Sequence, residues 1–331
     1  MEIYSPTYYK AFRCIAANCP DSCCKEWTVD VDAASAARYR QLPGDLGDQL
    51  RAVLQDTDCG TVMTIEDGRC PMWRQDGLCR IQAELGHDAL CATCRDFPRL
   101  RHDYGNFVEL GLELSCPEAA RLILTSPMQM EVAIAPGGEA PEYDIFVMDI
   151  LKKSRQQMLD LLADNSRPLP HALAILLLHA HALQGQIDGW EETAFSPDEL
   201  LVEAKKHAAV GDMKSVFAFF SDLEILTGQW AMRLQQPPQP IVWSEALRAL
   251  TCYLVQRYWL QAVSDLDLVC RAKFMIISCL LVGALGGDLV QTAQLFSKEI
   301  ENDPDNLEAI LDGAYSSPAF TDKQLFSILL G

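Results

Sequence analysis

The chain has 331 residues, 49% hydrophobic and 22% charged, an ordinary globular composition long enough for one large domain or two smaller ones. Its formal charge of −19 argues against nucleic-acid binding, which rests on Lys and Arg neutralising phosphates. An acidic surface suits solubility and would attract a basic partner, such as a lysine-rich protein segment.

The first residues, "MEIYSPTYYKAFRC", lack the apolar run and small-residue cleavage site of a signal peptide, so a cytoplasmic location is expected. Structural disulfides are rare there, and thirteen cysteines then point to metal or thiolate chemistry. Ten of the thirteen lie between Cys14 and Cys116. This concentration divides the chain into a cysteine-rich metal-binding region at 1–125, a connector at 126–144 and an all-α helical domain at 145–331. The first region holds 13 Lys/Arg against 19 Asp/Glu and the part beyond it 14 against 27, so the acidic excess is greater in the second half.

The cysteine pattern begins at "CIAANCPDSCCKEW", with Cys14, Cys19 and the adjacent Cys23 and Cys24. Cys59 follows, then Cys70 in "CPMW", Cys79 in "GLCRI", Cys91 and Cys94 in "CATCRDFPR", and Cys116 in "LSCPE". Thiolates are soft donors suited to iron and zinc, and spacings of two to four residues let a chain wrap a metal. A zinc ribbon needs two C-x2-C knuckles, and Cys91/Cys94 forms only one. Iron–sulfur clusters accept more scattered ligands, often with proline after the last one, as in the "CP" of Cys70 and Cys116. Adjacent cysteines leave the backbone in different directions, so Cys23 and Cys24 suggest two centres, or one ligand and one neighbouring thiol. The radical-enzyme spacing C-x3-C-x2-C is absent, because Glu26 stands at its third position. A glycine-rich nucleotide-binding turn between strand and helix is also absent, since "APGGEAP" lies in the connector.

The connector carries prolines and paired glycines with room for one short strand. Beyond it, Ile145, Met148, Leu151, Met158 and Leu161 repeat at helical spacing. "PLPHALAILLLHAHAL" is apolar almost all round and reads as a central helix. "SPDELLVEAKKHAA" places Ser196 at an N-cap position. Further helices are expected around 212–233, 243–263, 268–285, 289–301 and 305–314, with a break at "QQPPQP". The most apolar run, "FMIISCLLVGALGG", has fourteen residues, too few to span a bilayer, and is expected to be buried. Cys252, Cys270 and Cys279 fall in apolar helices and are expected to be packing residues. His179 and His181 are two apart and point to different sides of their helix; with His171 they read as polar residues of a buried helix. The fold class that follows is mainly α.

The blocks "FRCIAANCPDSCCKEW", "CPMW", "GLCRI", "CRDFPR" and "ELSCPEAAR", in that order over roughly residues 8–125, resemble the cysteine-rich family of flagellin lysine N-methylase and related iron–sulfur or zinc-binding proteins. The resemblance implies a 4Fe–4S cluster, with zinc as the alternative, S-adenosylmethionine as methyl donor and flagellin lysines as acceptor. The cysteines in matching blocks are Cys14, Cys19, Cys23, Cys24, Cys70, Cys79, Cys94 and Cys116, with Cys59 and Cys91 outside them. Arg95 and Arg99 also fall in a matching block and are candidates for binding the donor's carboxylate or offsetting cluster charge, against a plain reading as salt-bridge residues. Methyl transfer needs a neutral lysine amine, and Tyr8, Tyr9, Asp30, Glu113 and Glu118 are candidates to take its proton. The competing reading is a non-catalytic metalloprotein with a structural zinc or electron-transfer iron–sulfur centre. A disulfide-stapled binding protein is a third, disfavoured without a secretion signal.

Overall fold

A computed structural model of the chain describes residues 1–25, 28–190 and 194–331; Glu26 and the Trp27 of the first cysteine block lie outside the described residues. The first half contains more sheet than the sequence suggests. β1 (Glu2–Pro6) leads into α1 (Thr7–Ala11) and the cysteine loop, followed by β2 (Val29–Val31), α2 (Ala33–Gln41), α3 (Gly44–Val53), β3 (Leu54–Thr57) and β4 (Gly60–Met63). Next come α4 (Arg80–Leu85), α5 (Ala92–Asp96), β5 (Arg99–Asp103), β6 (Phe107–Leu112) and α6 (Pro117–Thr125), and the connector supplies β7 (Met130–Ile134).

One sheet has the order β5-β6-β1-β7, with β1 parallel to β6 (Ile3 opposite Val108) and antiparallel to β7 (Tyr4 opposite Val132). The other is a small antiparallel sheet, β2-β4-β3, in which Val29 and Leu54 both flank Met63.

The second half is helical: α7 (Ile145–Ala163), α8 (Leu169–Ile187), α9 (Pro197–His207), α10 (Lys214–Ser221), α11 (Gly228–Leu234), α12 (Glu245–Tyr258), α13 (Leu268–Leu285), α14 (Leu289–Phe296), α15 (Pro304–Ser316) and α16 (Asp322–Leu330). A π-helical turn, Ser297–Glu301, extends α14. Several starts are fixed by side-chain oxygens accepting first-turn N–H groups: Ser244 for α12, Asp267 for α13, Asp288 for α14, Asp303 for α15 and Thr321 for α16. Ser196 occupies the expected cap position of α9, but its side chain makes no capping bond. The single helix expected at 212–233 is two, α10 and α11, separated by residues 222–227.

α13 is the apolar run foreseen as buried. It is long and apolar enough to cross a membrane, but 94% of it is enclosed, with α8, α12, α14 and α15 packed around it. Cys270 and Cys279 on α13 are buried and Cys252 on α12 is half-buried. The Cys279 thiol receives a bond from Thr251 at 3.3 Å. His179 is buried beside Gln157, while His181 faces Asp322 at 2.9 Å, so the two histidines diverge.

Two apolar cores run through the molecule. A smaller one draws on Val29, Val31, Tyr39, Leu50, Met63, Met72, Ile81 and Leu90, together with Cys70 and Cys91. The larger belongs to the helices, and Tyr8, Phe12, Phe107, Leu112, Leu114 and α6 join it. The chain therefore starts in the larger unit, forms the small cysteine lobe between about residues 14 and 97, and returns.

Candidate functional site

The cysteine lobe brings distant sequence blocks onto one point. The Cys70 amide donates to the Cys24 carbonyl at 2.7 Å, and the Arg80 amide to the Met72 carbonyl at 2.7 Å. These bonds lay "CPMW" and "GLCRI" beside the first loop. Asp32 positions the fourth block: one carboxylate oxygen accepts the Ser35 amide at the start of α2, and the other the Ala92 amide at the start of α5, both at 2.9 Å. These amides hold the Asp32 carboxyl down to about 2. Cys79 and Cys91 stand at the N-cap positions of α4 and α5, without acting as caps themselves.

Six cysteines come to line one small chamber as a result. Cys23, Cys24, Cys70, Cys79, Cys91 and Cys94 line a chamber of about 20 Å³, closed by Val29, Tyr39, Met63, Met72, Ile81 and Leu90. Cys24 hydrogen-bonds to both Cys23 and Cys79, and Cys94 to Cys91. The bond from Cys24 lowers Cys79 to about 6 against the opposing effect of burial, aided by the Gln82 and Ile81 amides. The bond from Cys94 lowers Cys91 to about 7, and the Cys24 bond also lowers Cys23. The donors Cys24 and Cys94 are raised correspondingly, and burial pushes Cys70 up to about 11. Cys79, Cys91 and Cys23 are thus shifted toward the thiolate, the state that binds metals.

All thirteen cysteines are free thiols. Among the described residues, no group of three or more His, Cys, Asp or Glu side chains is arranged to hold an ion. The donor chemistry nonetheless suits a soft metal centre, since six thiols and the thioethers of Met63 and Met72 line the chamber, and the Tyr39 hydroxyl there is committed to the Ala89 carbonyl at 2.7 Å.

The remaining expected ligands stand elsewhere. Cys14 is exposed, Cys19 half-buried, and Cys116 is buried in the larger core at the N-cap position of α6. Cys59 is exposed at the turn between β3 and β4. Cys91, which fell outside the matching blocks, is in the chamber.

Cys23 is exposed and has a second face. It lines a cleft of about 490 Å³ between the cysteine lobe and the helices. Ser22 and Lys25 come from the same loop, Asp96, Phe97 and Arg99 from the α5–β5 segment, and Glu113 and Ser115 from the segment before α6. Leu226 and Thr227 come from the residues that split α10 from α11, and Lys298 and Asn302 from the π-helical turn and its end. The cleft is held together through Asp21, whose carboxylate pairs with Lys25 at 2.7 Å and Lys298 at 3.0 Å and accepts from Gln294 at 2.8 Å. Burial opposes ionisation there, but the two lysines outweigh it and bring Asp21 to about 2. Two larger clefts, of about 750 Å³ near residues 101–105 and 261–264 and of about 650 Å³ around Asp21, Arg121 and Gln291, contain no cysteine. The chemistry therefore favours the smaller one.

Of the two expected arginines, Arg99 lines the cleft, with its guanidinium over Phe12 at 5.2 Å. Arg95 is not in the lining and contacts Asp96 at 3.3 Å. Tyr8 is buried in the larger core, Tyr9 lies 6.0 Å under Arg99, Asp30 is exposed on β2, and Glu118 is paired with Arg121. Glu113 alone among the five proposed proton acceptors reaches this cleft. Lys298 and Asn302 were not foreseen; they belong to no motif and lie almost two hundred residues from the cysteine blocks.

No family model matches the chain, and no solved structure does. It is 32% identical over 141 residues to lysine-N-methylases of Salmonella typhimurium and Salmonella choleraesuis, a match covering 40% of this chain and 34% of each relative. The chain thus matches about a third of the length of those two proteins. It is 33% identical over 138 residues to the flagellar biosynthetic protein FliU of Salmonella muenchen, covering 39% of this chain and 80% of that protein. On that coverage, the chain belongs to the lysine-N-methylase and FliU family.

Proposed function

We propose that the protein is a lysine N-methyltransferase acting on flagellin or a similar lysine-bearing protein in the cytoplasm, with S-adenosylmethionine as donor and a thiolate-bound iron–sulfur cluster. The observation that carries the reading is Cys23, which belongs both to the six-cysteine chamber and to the wall of the interlobe cleft. The relatives named lysine-N-methylase supply the reaction class.

Cys23, Cys24, Cys70, Cys79, Cys91 and Cys94 would supply the ligands, and the apolar chamber walls would keep water from the buried Cys70 and Cys91. An iron–sulfur cluster, when bound, supplies a redox-active, electrophilic metal beside the cleft. Arg99 offers a planar guanidinium for the donor's carboxylate. Lys298 and Gln294, both bonded to Asp21, keep the loop seated on the helices.

The test is anaerobic purification, iron and sulfide analysis, and incubation with labelled donor and flagellin, with modified lysines mapped by mass. Iron, sulfide and methylated lysines are expected. A second reading, a structural centre without catalysis, is favoured by the membership of Cys70 and Cys91 in the small apolar core. Stoichiometric zinc with neither donor binding nor methylation would establish it in place of the first.

A further inference from the structure

Glu113 stands on the cleft wall with a buried charge network behind it. Its amide is fixed by the Pro98 carbonyl at 2.8 Å, and its carboxylate accepts from Ser115 at 3.0 Å. Deeper in, Arg257 of α12 pairs with Glu301 of the π-helical turn at 3.2 Å, with side-chain exposures of 12% and 0%. Tyr258 donates to Glu301 at 2.8 Å, and Arg257 also bonds the Tyr253 hydroxyl. The π turn thus sends Glu301 into this network and Lys298 into the cleft. Such turns recur at functional sites because the extra residue re-aims side chains.

The charged groups around Glu113 come from every neighbouring element. Arg257 and Glu301 lie on the helical side, and Arg99, Asp96 and Lys298 line the cleft. Burial raises the Glu113 carboxyl, Glu301 adds to the rise, and Arg257, Ser115 and Asn302 oppose it. The cationic wall residues are engaged elsewhere: Lys25 and Lys298 with Asp21, Arg99 over Phe12. Asp96 has Arg95 beside it. Glu113 is therefore the carboxylate best placed to receive a cation entering from solvent.

We propose that the interlobe cleft is the acceptor site for a primary-amine side chain, with Glu113 binding the ammonium and taking its proton. The inference rests on the methyltransferase reading for its second step only. The ammonium gives one proton to the Glu113 carboxylate, leaving a neutral amine and a carboxylic acid. The amine lone pair then forms the N–C bond to the methyl of a sulfonium donor. The S–C bond breaks, its electron pair stays on sulfur, and the products are a neutral thioether and a methylated ammonium. The proton held by Glu113 leaves to solvent, which restores the carboxylate.

The experiment uses the full chain and a lysine peptide, with its acetyl-lysine counterpart as control. Equilibrium binding should be at least tenfold tighter for the lysine peptide and should lose that preference in Glu113→Gln. Leu226→Arg, which puts a cation into the same cleft lining, should weaken lysine-peptide binding comparably, which covers the case of a Glu113→Gln variant that fails to fold. In single-turnover methylation, Glu113→Gln should lose on the order of 100-fold in rate with donor binding unchanged. Glu113→Asp should recover part of the loss, and raised pH should rescue the Gln variant as the lysine deprotonates itself. Equal binding of the two peptides, or a folded Glu113→Gln variant with wild-type binding and pH profile, overturns the inference. Glu113-dependent binding without methylation would instead leave the amine site standing and overturn the methyltransferase reading.

Discussion

Asp32 carries two helix starts on one carboxylate, so a single substitution there should be felt in two places. Asp32→Ala should cost about 1–2 kcal/mol, the usual range for a lost cap, measured by denaturant unfolding. It should also loosen the α5 segment that holds Cys91 and Cys94, seen as faster alkylation of both. In the unsubstituted protein, Cys14, Cys23 and Cys59 are exposed and should react first with a thiol reagent, whereas fully buried Cys279 should be unreactive until unfolding. Replacing Cys252, Cys270 and Cys279 together by Ala should leave metal content intact. Loss of metal in that triple variant would move ligands into the helical half. The cysteine blocks were legible as residues that belong together because short spacings and soft-donor chemistry are local properties. Their grouping was not. Cys91 enters the chamber because Asp32, sixty residues away, fixes the start of α5, whereas Cys116 starts a helix of the larger core.

Elements show the same divide between local and distant causes. α13 could be bounded at 268–285 from its sequence because its apolar run and the paired glycines that end it are local signals. The sheets could not be read this way. β1 finds its parallel partner β6 about a hundred residues later, and β2 has only three residues. The break between α10 and α11 serves the site, since Leu226 and Thr227 reach the cleft from it. The larger sheet is tied to the helices by Glu109 of β6 and Arg155 of α7, a two-bond pair at 2.6 and 2.8 Å with exposures of 6% and 12%. Removing one partner strands a buried charge, so Glu109→Ala should cost about 3–5 kcal/mol, read from the denaturation midpoint. α16 is tied by Asp322 to His181 of α8 and Lys273 of α13. Burial opposes ionisation of Asp322, but these two partners hold its carboxyl at about 2, below its ordinary value of 3.8. Its stabilising contribution is therefore complete above pH 4 and disappears as pH falls through 2. Asp322→Asn should flatten that part of the acid-unfolding profile.

At the scale of the molecule, the two cores differ in what they can sustain alone. The helical core is large and continuous, whereas the cysteine lobe buries few apolar side chains and counts Cys70 and Cys91 among them. A unit of that size ordinarily depends on cross-links or metal. Because ligand sulfurs and core residues coincide, metal binding there should also be folding free energy. Stripping the proposed centre with a chelator should open the cysteine lobe while the helical bundle stays folded. The expected record is a small loss of helical circular dichroism, proteolytic cuts confined to residues 28–96, and a high-temperature transition close to that of the untreated protein. Cys79→Ala should reproduce the pattern without chelator, whereas Cys59→Ala should not. One cooperative transition that moves as a whole on chelation would mean that the interlobe contacts of Asp21 with Lys298 and Gln294 couple the two cores into one folding unit. An unchanged first transition in both chelated and Cys79→Ala protein would remove the stabilising role from the centre and leave the thiol chamber to the chemistry of the cleft.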